Sequence, residues 1–350
     1  MRILHVIFRM RMGGTECMLV DIIGRQVRAG HDVALMVINS GSDPALLSLL
    51  PAQAALFEIG RAVGSHSPLK ALKANIVASR FRPDVVHVHN KRIVNMLMLP
   101  SLRRRMIQTL HTTGIVLTGP QLRTGFTAIS QAVADDARCR LGLEMPVVAN
   151  GIDFDAVTPR RQAPRRIGSL VCVGRLDSGV KGQDLAVRAM ADPRLASMTL
   201  TLIGDGPDLD SLRRLACSLG VESRVFFAGA MSRSDVYAAL GRFDLFILPS
   251  RVEGFGLALA EGMAAGIPVV TAALPGPLEI TMGDRFGCPF DPGSSLSLAD
   301  AVDSVARMSP SRIAAMCDGA RRRVMSRFSI DHTVSAYTDA YHSLISSACK

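Results

Sequence analysis

The sequence is poor in the aromatic side chains that stack on nucleic-acid bases. Its 350 residues contain no tryptophan and only three tyrosines, although the formal net charge is +10. Proteins that bind single-stranded nucleic acid combine cations with stacked aromatic rings. The composition therefore counts against a nucleic-acid-binding protein.

Long apolar runs are also absent. No uninterrupted apolar segment approaches the roughly 20 residues that a membrane-spanning helix requires. The first residues, MRILHVIF, lack the small-residue cleavage pattern of a secretory signal and predict a first β-strand. We therefore expect a cytoplasmic protein.

The cysteines have neither the spacing of a metal site nor that of a disulfide framework. They are seven in number and widely scattered, at positions 17, 139, 172, 217, 288, 317 and 349. An odd, dispersed set of this kind indicates reduced thiols in a cytosol.

The positive charge is concentrated in the first part of the chain. Residues 1–150 carry 18 Lys and Arg against 9 Asp and Glu, a net charge of +9, whereas residues 151–350 carry 22 against 21, a net charge of +1. A basic first half indicates a surface that faces something anionic. An acidic membrane surface, a phosphorylated lipid carrier and nucleic acid are the candidates.

Length and the alternation of element types predict two α/β domains. The chain exceeds one ordinary hydrophobic core, and strand-like runs alternate with helical segments in both halves. The Pro- and Arg-rich segment 158–166 is the expected linker. We predict two doubly wound parallel-sheet, Rossmann-like domains, residues 1–160 and 161–327, that face each other across a cleft.

Three residues of the first domain are candidates for ligand binding. Gly13 and Gly14 lie between a predicted strand and a helix, where glycine lets the backbone approach a ligand closely. Their spacing is not G-x-G-x-x-G, which argues against a dinucleotide-dependent oxidoreductase. His111 ends the predicted strand 106–111, at the sheet edge where open α/β sheets bind ligands. For the two glycines the alternative is a plain tight turn, and for His111 it is a capping or structural histidine.

Two further histidines, His87 and His89, alternate along the predicted strand 84–89. Alternation places both on the face opposite to Val88. We interpret them as polar residues at a strand end.

A pair of cations marks the start of the second domain. Arg175 follows the predicted strand 169–174, and Lys181 comes six residues later at the start of a helix. Both are therefore expected at the ligand-binding edge of the sheet, where they would hold a diphosphate and stabilise its charge as it departs. Two unrelated surface cations are the alternative.

A pair of glutamates flanks the turn that follows the strand 244–248. Glu253 precedes Gly254-Phe255-Gly256, and Glu261 lies eight residues later inside an apolar helix. At about 1.5 Å per helical residue, their carboxylates can be up to roughly 12 Å apart. That span fits the distance from a transferred sugar to the ribose of a nucleotide-sugar, and a carboxylate in an apolar helix needs polar partners of this kind.

These strings resemble a known family. E-G-F-G-L-A-L-A-E resembles the two-glutamate signature of the retaining GT-B glycosyltransferases of family 4, and V-G-R-L-D-x-x-x-K-G resembles the donor-phosphate motif of that family. The resemblance covers nearly the whole chain and is densest in 171–279. It implies a retaining, metal-independent hexosyltransferase that uses a UDP-, GDP- or ADP-linked sugar. It also implies that a C-terminal helix, 328–350, packs back on the first domain.

The resemblance assigns roles to individual positions. It places Glu253 on the transferred sugar, Glu261 on the ribose, and His111 beside the sugar, while Arg175 and Lys181 take up the charge of the leaving diphosphate. Four residues are thus implied in catalysis: Glu253, His111, Arg175 and Lys181. The implied donor-binding residues are Gly13, Gly14, Arg175, Lys181, Met231, Glu253, Gly254, Phe255, Gly256, Leu257 and Glu261.

No metal and no cofactor are expected. The D-x-D triplets Asp153–Asp155 and Asp208–Asp210 could suggest a carboxylate metal site, but such triplets arise often by chance. Arg175 and Lys181 would already supply the positive charge that a metal ion would bring.

The expected acceptor is an anionic saccharide bound by the basic first domain. We expect a lipid-linked saccharide or an intermediate of lipopolysaccharide or exopolysaccharide synthesis, reached by peripheral contact with the anionic inner face of the cytoplasmic membrane. Two alternatives remain open: a nucleotide-sugar epimerase of the same fold, which needs no acceptor, and a non-enzymatic nucleic-acid binder.

Overall fold

The computed structural model describes residues 1–348, which form two compact units. Unit 1 consists of residues 1–151 together with the C-terminal residues from Ile330 onward, and unit 2 consists of Ile152–Ser329. The division therefore lies at Gly151, before the predicted boundary at 160. The C-terminal helix expected at 328–350 is observed at Ile330–Ala348, and positions 349 and 350 lie outside the described residues.

Unit 1 is built on a parallel sheet that is covered by helices. Its strands within the described residues are β1 (Arg2–Ile7), β2 (Asp32–Asn39), β3 (Ala55–Arg61), β4 (Val85–Val88), β5 (Met106–Leu110) and β6 (Gly125–Ala128). Its helices are α1 (Gly14–Arg28), α2 (Pro44–Leu47), α3 (Pro68–Phe81), α4 (Pro100–Arg103), α5 (Gln131–Leu141) and, at the end of the chain, α14 (Ile330–Ala348).

Unit 2 repeats this plan. Its strands are β7 (Ser169–Val173), β8 (Thr199–Ile203), β9 (Val225–Gly229), β10 (Leu245–Leu248), β11 (Val269–Ala272) and β12 (Cys288–Phe290). Its helices are α6 (Ser178–Lys181), α7 (Gln183–Ala189), α8 (Leu209–Ser218), α9 (Arg233–Leu240), α10 (Leu257–Ala264), α11 (Pro275–Thr281), α12 (Ser295–Ala306) and α13 (Pro310–Arg327). Among residues 1–348, no helix combines the length and the apolar character that a bilayer crossing needs.

The two sheets have the same strand order. Unit 1 has the order β3-β2-β1-β4-β5-β6, and unit 2 has the order β9-β8-β7-β10-β11-β12. The strand order reverses beside the first strand of each unit, between β1 and β4 and between β7 and β10. In doubly wound sheets, ligands bind beyond the carboxyl ends of the strands at such a point. The predicted fold class is confirmed.

Both faces of the unit 1 sheet are buried, which explains its nearly continuous apolar strands. In β2, Val33 and Leu35 belong to the apolar cluster that includes α1, whereas Ala34 and Met36 belong to the cluster that includes α3. Successive residues of one strand therefore pack against helices on opposite faces. This packing fixes the register, and with it the positions of the residues that follow each strand.

Two features differ from the expectations. The edge strand β3 was not predicted, because only one of its seven residues is fully buried and its apolar signal is weak. The segment 158–166 is not a free linker, because it belongs to unit 2. Arg160 there pairs with Asp244 at 3.1 Å and donates to the carbonyl oxygen of Phe243 at 2.7 Å.

Candidate functional site

The predicted donor residues of unit 2 follow its two central strands. β7 and β10 are hydrogen-bonded neighbours, with Leu170 opposite Leu245. The chain continues from β7 into Arg175 and α6, and from β10 into the loop that carries Glu253. The two predicted motifs therefore meet at the reversal point of this sheet, although they are far apart in the sequence.

The structure brings Lys181 and Glu253 into direct contact. The ammonium nitrogen of Lys181 lies 2.7 Å from Oε2 of Glu253, and the Ser250 hydroxyl donates to the same oxygen at 3.2 Å. The two side chains are 33% and 14% exposed, so this ion pair is partly shielded from solvent. A cation and a carboxylate, each predicted to contact the donor, thus form one polar centre.

Arg175 lies just after β7, at the same edge of the sheet, and is exposed. Its carbonyl oxygen accepts a hydrogen bond of 2.7 Å from the Gln183 side chain, which fixes the backbone between β7 and α6. Its guanidinium group has no hydrogen-bond or ion-pair partner within residues 1–348. It is therefore available to an anionic ligand without first breaking an ion pair.

Arg251 supports the centre and was not found from the sequence. Its guanidinium group donates to both carboxylate oxygens of Asp184, at 2.6 and 2.9 Å, and to the carbonyl oxygen of Ser178 at 2.6 Å. The hydrogen bonds to Asp184 raise the pKa of Arg251 above its usual value. Because Ser178 begins α6, this contact ties the loop after β10 to the short helix that ends in Lys181.

Glu261 has a buried partner, Tyr237, that was also missed. The Tyr237 hydroxyl donates to Oε1 of Glu261 at 2.9 Å, and Tyr237 is 2% exposed. The guanidinium carbon of Arg233 lies 5.4 Å from the Tyr237 ring centroid. An acidic side chain in an apolar helix needs such a partner, so the composition of α10 predicted a partner without identifying it.

The G-F-G turn is built into the core. Phe255 is 1% exposed and its ring packs edge-on against Phe328, with centroids 5.3 Å apart. Gly256 precedes α10 with φ of 111°, a conformation that favours glycine. Of the predicted donor residues, Phe255 can therefore offer a ligand only its backbone, whereas the amides of Gly256 and Leu257 lie at a helix N-terminus.

Met231 lies farther out along the same sheet. It follows β9, an edge strand that is separated from β7 by β8, and it is half-buried. It is therefore not a neighbour of the Lys181–Glu253 pair through the sheet.

The glycines of unit 1 lie where they were predicted. Gly13 immediately precedes α1, which begins at Gly14 and follows β1 at the reversal point of its sheet. A Cβ at Gly13 would lie 2.7 Å from Oε2 of Glu16, so the flexible end of the Glu16 side chain would have to move. Burial raises the pKa of the Glu16 carboxyl.

His111 directly follows β5, and both of its ring nitrogens are buried. Neither has a hydrogen-bond partner within residues 1–348. Burial lowers the pKa of His111 to about 4, so the ring is neutral at physiological pH. Its ring centroid lies 6.2 Å from that of His89. A neutral imidazole with unpaired nitrogens can donate to or accept from a sugar hydroxyl.

His87 and His89 lie at the end of β4, as interpreted from the sequence, but they also belong to a buried hydrogen-bond network that the sequence did not reveal. His5 donates from Nε2 to the side-chain oxygen of Gln26 at 2.8 Å, and its Nδ1 lies 3.1 Å from Nε2 of His89. His87 contacts the Tyr341 hydroxyl through Nδ1 and the Thr109 hydroxyl through Nε2, each at 2.7 Å. Because Tyr341 lies on α14, the network fixes the C-terminal helix to the sheet of unit 1.

The three histidines of this network also lie close enough together for a metal site. His5, His87 and His89 present ring nitrogens within 4.8 Å of one another. Five of their six ring nitrogens are engaged: three contact Gln26, Tyr341 and Thr109, and two form the contact between His5 and His89. A metal ion would have to displace these bonds, and the arrangement is explained without one.

The D-x-D triplet Asp208–Asp210 does not converge on one point. Asp208 accepts a hydrogen bond of 2.6 Å from the backbone amide of Ser178, at the start of α6. Asp210 is exposed and lies 3.9 Å from Arg213 on its own helix. The first carboxylate thus supports the helix that carries Lys181, and the second belongs to a solvated helix surface.

The sequence matches two family models that together cover most of the chain. The model described as "Glycosyltransferase Family 4" matches residues 12–156, and the one described as "Glycosyl transferases group 1" matches residues 163–321. The D-inositol 3-phosphate glycosyltransferases of Mycobacterium tuberculosis and Mycobacterium bovis are 34% identical over 221 residues. This match covers 59% of the chain but 42% of the mycobacterial proteins, so the chain spans less than half of their length.

Several solved structures share the fold. The HepE protein of Anabaena, in complex with UDP and glucose, is 22% identical, with a TM-score of 0.81 and coverage of 98% of this chain and 100% of that chain. A glycosyltransferase from Rickettsia africae is 16% identical, with a TM-score of 0.80 and 98% coverage of each chain. The lipopolysaccharide outer core galactosyltransferase WaaB is 19% identical, with a TM-score of 0.74 and coverage of 98% and 99%. At these identities the likeness establishes the GT-B architecture.

Proposed function

Because this chain belongs to the GT-B glycosyltransferases of family 4, we propose that it transfers a sugar from a nucleotide-sugar to an acceptor hydroxyl with retention of configuration. The observation that carries the proposal is the Lys181–Glu253 pair, together with the exposed Arg175 that follows β7, at the reversal point of the unit 2 sheet. A diphosphate and the sugar attached to it need cations and a carboxylate side by side, as this centre provides.

In the proposed reaction, the bond between the anomeric carbon and the diphosphate oxygen breaks. The nucleoside diphosphate leaves with the bonding electrons, and the acceptor oxygen forms the new bond as its hydroxyl proton is lost. Arg175, Lys181 and the amides of Gly256 and Leu257 stabilise the charge that develops on the diphosphate. Lys181 is paired with Glu253 when no donor is bound, and it contacts the phosphates when the donor binds. Its ammonium group therefore has a charged partner in both states.

The carboxylates act at the two ends of the donor in this proposal. Glu253 contacts and orients the transferred sugar, and Glu261 accepts hydrogen bonds from the ribose hydroxyls. Tyr237 donates to one oxygen of Glu261 and thereby orients the carboxylate. The neutral His111 contributes a hydrogen bond to a sugar hydroxyl. Since Arg175 and Lys181 supply the positive charge, we propose that transfer needs no metal ion.

The acceptor proposed for this enzyme is an anionic saccharide, lipid-linked or belonging to a lipopolysaccharide or exopolysaccharide. Unit 1 supports this choice through its positive charge. Two of the similar proteins have names that point to anionic acceptors, an inositol phosphate in the mycobacterial enzymes and a lipopolysaccharide outer core in WaaB. Peripheral contact with an anionic membrane on its cytoplasmic side would bring the enzyme to such an acceptor.

The donor assignment is tested by a thermal-shift panel of UDP-, GDP- and ADP-sugars. One nucleotide-sugar should raise the Tm of the wild-type protein, and Lys181→Ala should weaken its binding about 10- to 100-fold, as expected for a lost hydrogen bond to a charged group. Glu253→Gln should keep the nucleoside diphosphate affinity but lose sugar transfer, because Lys181 is retained.

Controls separate these effects from general damage. Arg312→Ala, which removes an exposed cation elsewhere on unit 2, should leave the shift unchanged. Equal stabilisation of the wild type and Lys181→Ala by the nucleotide-sugar contradicts the phosphate assignment. Conversion of the donor sugar without any acceptor would instead identify an epimerase.

A further inference from the structure

The net positive charge of unit 1 comes from a long stretch that is almost free of acidic residues. Residues 59–134 contain 11 Lys and Arg but one acidic residue, Asp84, a difference of +10 that equals the formal net charge of the whole chain. The stretch runs from β3 through α3, β4, α4 and β5 to β6. A surface built from it attracts anions over its whole extent.

Helix α3 places apolar side chains on its solvent side within this stretch. Leu69, Leu72 and Ile76 recur at helical spacing and are 74%, 56% and 43% exposed. The opposite side of the helix, with Ala74 and Ala78, is fully buried in unit 1. The helix is therefore packed on one side and still presents an apolar stripe on the other. An exposed apolar stripe flanked by cations is typical of a binding surface.

A second apolar segment is fixed beside this stripe. The Asn75 side chain donates to the carbonyl oxygen of Met96 at 2.7 Å and accepts from the backbone amides of Met98 and Leu99 at 2.9 and 3.3 Å. Met98 and Leu99 are 58% and 39% exposed. Because the buried Asn75 side chain fixes the backbone at Met96, Met98 and Leu99, the exposed side chains of Met98 and Leu99 are held at defined positions on the surface.

A groove with a basic end runs along the same surface. It has a volume of about 600 Å³ and is lined by Leu72, Ile76 and Leu99 as well as by Arg2, Arg80 and Arg82. Arg2 is paired with Asp32 at 3.0 Å. Arg80 and Arg82 have no ion-pair partner in the part of the chain that the structure describes, so their charge remains open to an anion.

We propose that this surface docks the protein on an anionic lipid bilayer. We call it the α3 face and define it by Leu69, Leu72, Ile76, Met98, Leu99, Arg80 and Arg82. In a docked state, the apolar side chains enter the boundary between headgroups and acyl chains, as in an interfacial helix. Arg80 and Arg82 meet lipid phosphates at the basic end of the groove.

The combination of side chains favours a bilayer over other anionic partners. A nucleic acid would use the cations but leave five exposed apolar side chains without a function, and none of them is aromatic. A second copy of this chain would bring like charges together. Only a lipid surface matches the apolar stripe and the charge together. The inference deepens the proposed membrane-bound acceptor and rests on it, but docking requires no catalysis.

The α3 face is tested by sedimentation with vesicles of phosphatidylcholine, with and without phosphatidylglycerol. The wild-type protein should bind the anionic vesicles and lose affinity with increasing salt. Arg80→Gln/Arg82→Gln should bind about 25-fold more weakly, since each cation near the surface contributes about fivefold. Leu69→Ser/Leu72→Ser should bind more than tenfold more weakly and should remain weak at low salt.

Matched variants and a parallel measurement make the result decisive. Leu296→Ser removes a leucine that is 64% exposed on unit 2 and should bind vesicles like the wild type. Unchanged vesicle binding by Leu69→Ser/Leu72→Ser overturns the proposal, as does stronger retention on oligonucleotides than on vesicles or a concentration-dependent dimer that these substitutions abolish. Nucleotide-sugar thermal shifts of the same variants should match the wild type, so a failed docking surface is distinguished from a failed donor assignment.

Discussion

Single residues of the unit 2 centre depend on partners that hold them in place. Glu253 pairs with Lys181, and Glu261 accepts a hydrogen bond from Tyr237. A carboxylate that is held in one orientation loses less conformational entropy when a ligand binds. The partners are therefore as important to the proposed donor site as the residues that would touch the donor.

Tyr237→Phe removes the hydroxyl that holds Glu261 and keeps the ring that packs in the core. We expect affinity for the nucleoside diphosphate to fall about 2- to 10-fold, the usual effect of one hydrogen bond. Titration calorimetry with the ribonucleotide and its 2′,3′-dideoxy analogue checks this, because only the ribonucleotide can use Glu261. An equal loss for both ligands would show that Tyr237 acts on stability rather than on ribose recognition.

The sequence predicted the charged residues of this centre but not their partners. Arg175, Lys181, Glu253 and Glu261 lie in short local strings whose composition is itself unusual. Tyr237 is 24 residues from Glu261, and no pattern in α9 distinguishes it from an ordinary core tyrosine. Contacts of this kind depend on how the elements pack, and single-sequence patterns do not contain that information.

At the scale of elements, the junction of α6 and α7 positions Lys181. Gly182 joins the two helices with φ of 66°, and a Cβ there would collide with the carbonyl group of Pro249 at the end of β10. The close approach allows α6 to lie against the loop that carries Glu253. A glycine is needed at this position for space as well as for conformation.

Gly182→Ala should therefore lower the free energy of unfolding more than a glycine-to-alanine substitution that causes only backbone strain. Gly220 has the same φ of 66° but has open space around its Cα. We expect Gly220→Ala to cost about 1–2 kcal/mol through backbone strain and Gly182→Ala to cost roughly 1–3 kcal/mol more through the collision. Urea unfolding of both variants measures the difference, and equal losses would exclude the steric role.

Prediction of elements succeeded for the deeply buried strands and failed for the edge strand β3. The central strands β1, β4, β7 and β10 have continuous apolar runs because helices cover both faces of the sheets. β3 is an edge strand with alternating exposure, so its sequence ALFEIGR does not differ clearly from a loop. The polar character of 158–166 predicted a linker, but Arg160 uses its charge to bind Asp244 and the segment packs on unit 2.

At the scale of the whole molecule, the buried histidines make stability sensitive to acid. Burial lowers the pKa of His5 to about 4 and the pKa values of His87 and His89 well below 6.5. The unfolded chain binds these protons near pH 6.5 and the folded chain does not, so the free energy of unfolding should fall as the pH drops from about 7 toward 4. Each histidine contributes up to about 1.4 kcal/mol per pH unit.

Urea unfolding between these pH values tests the effect, and a pair of variants isolates it from carboxylate titration. His5→Gln should reduce the slope of unfolding free energy against pH by the contribution of about one histidine. His66→Gln, at an exposed position of unit 1, should leave the slope unchanged. An unaltered slope in His5→Gln would assign the acid sensitivity to other groups.

The path of the chain has a consequence for its synthesis. Unit 2 is a continuous segment, whereas unit 1 closes only when α14 brings Tyr337 and Tyr341 onto the histidines of its sheet. On the ribosome, unit 2 can therefore finish folding before unit 1, although unit 1 is translated first. Unit 1 cannot complete its fold until α14 covers the buried histidines.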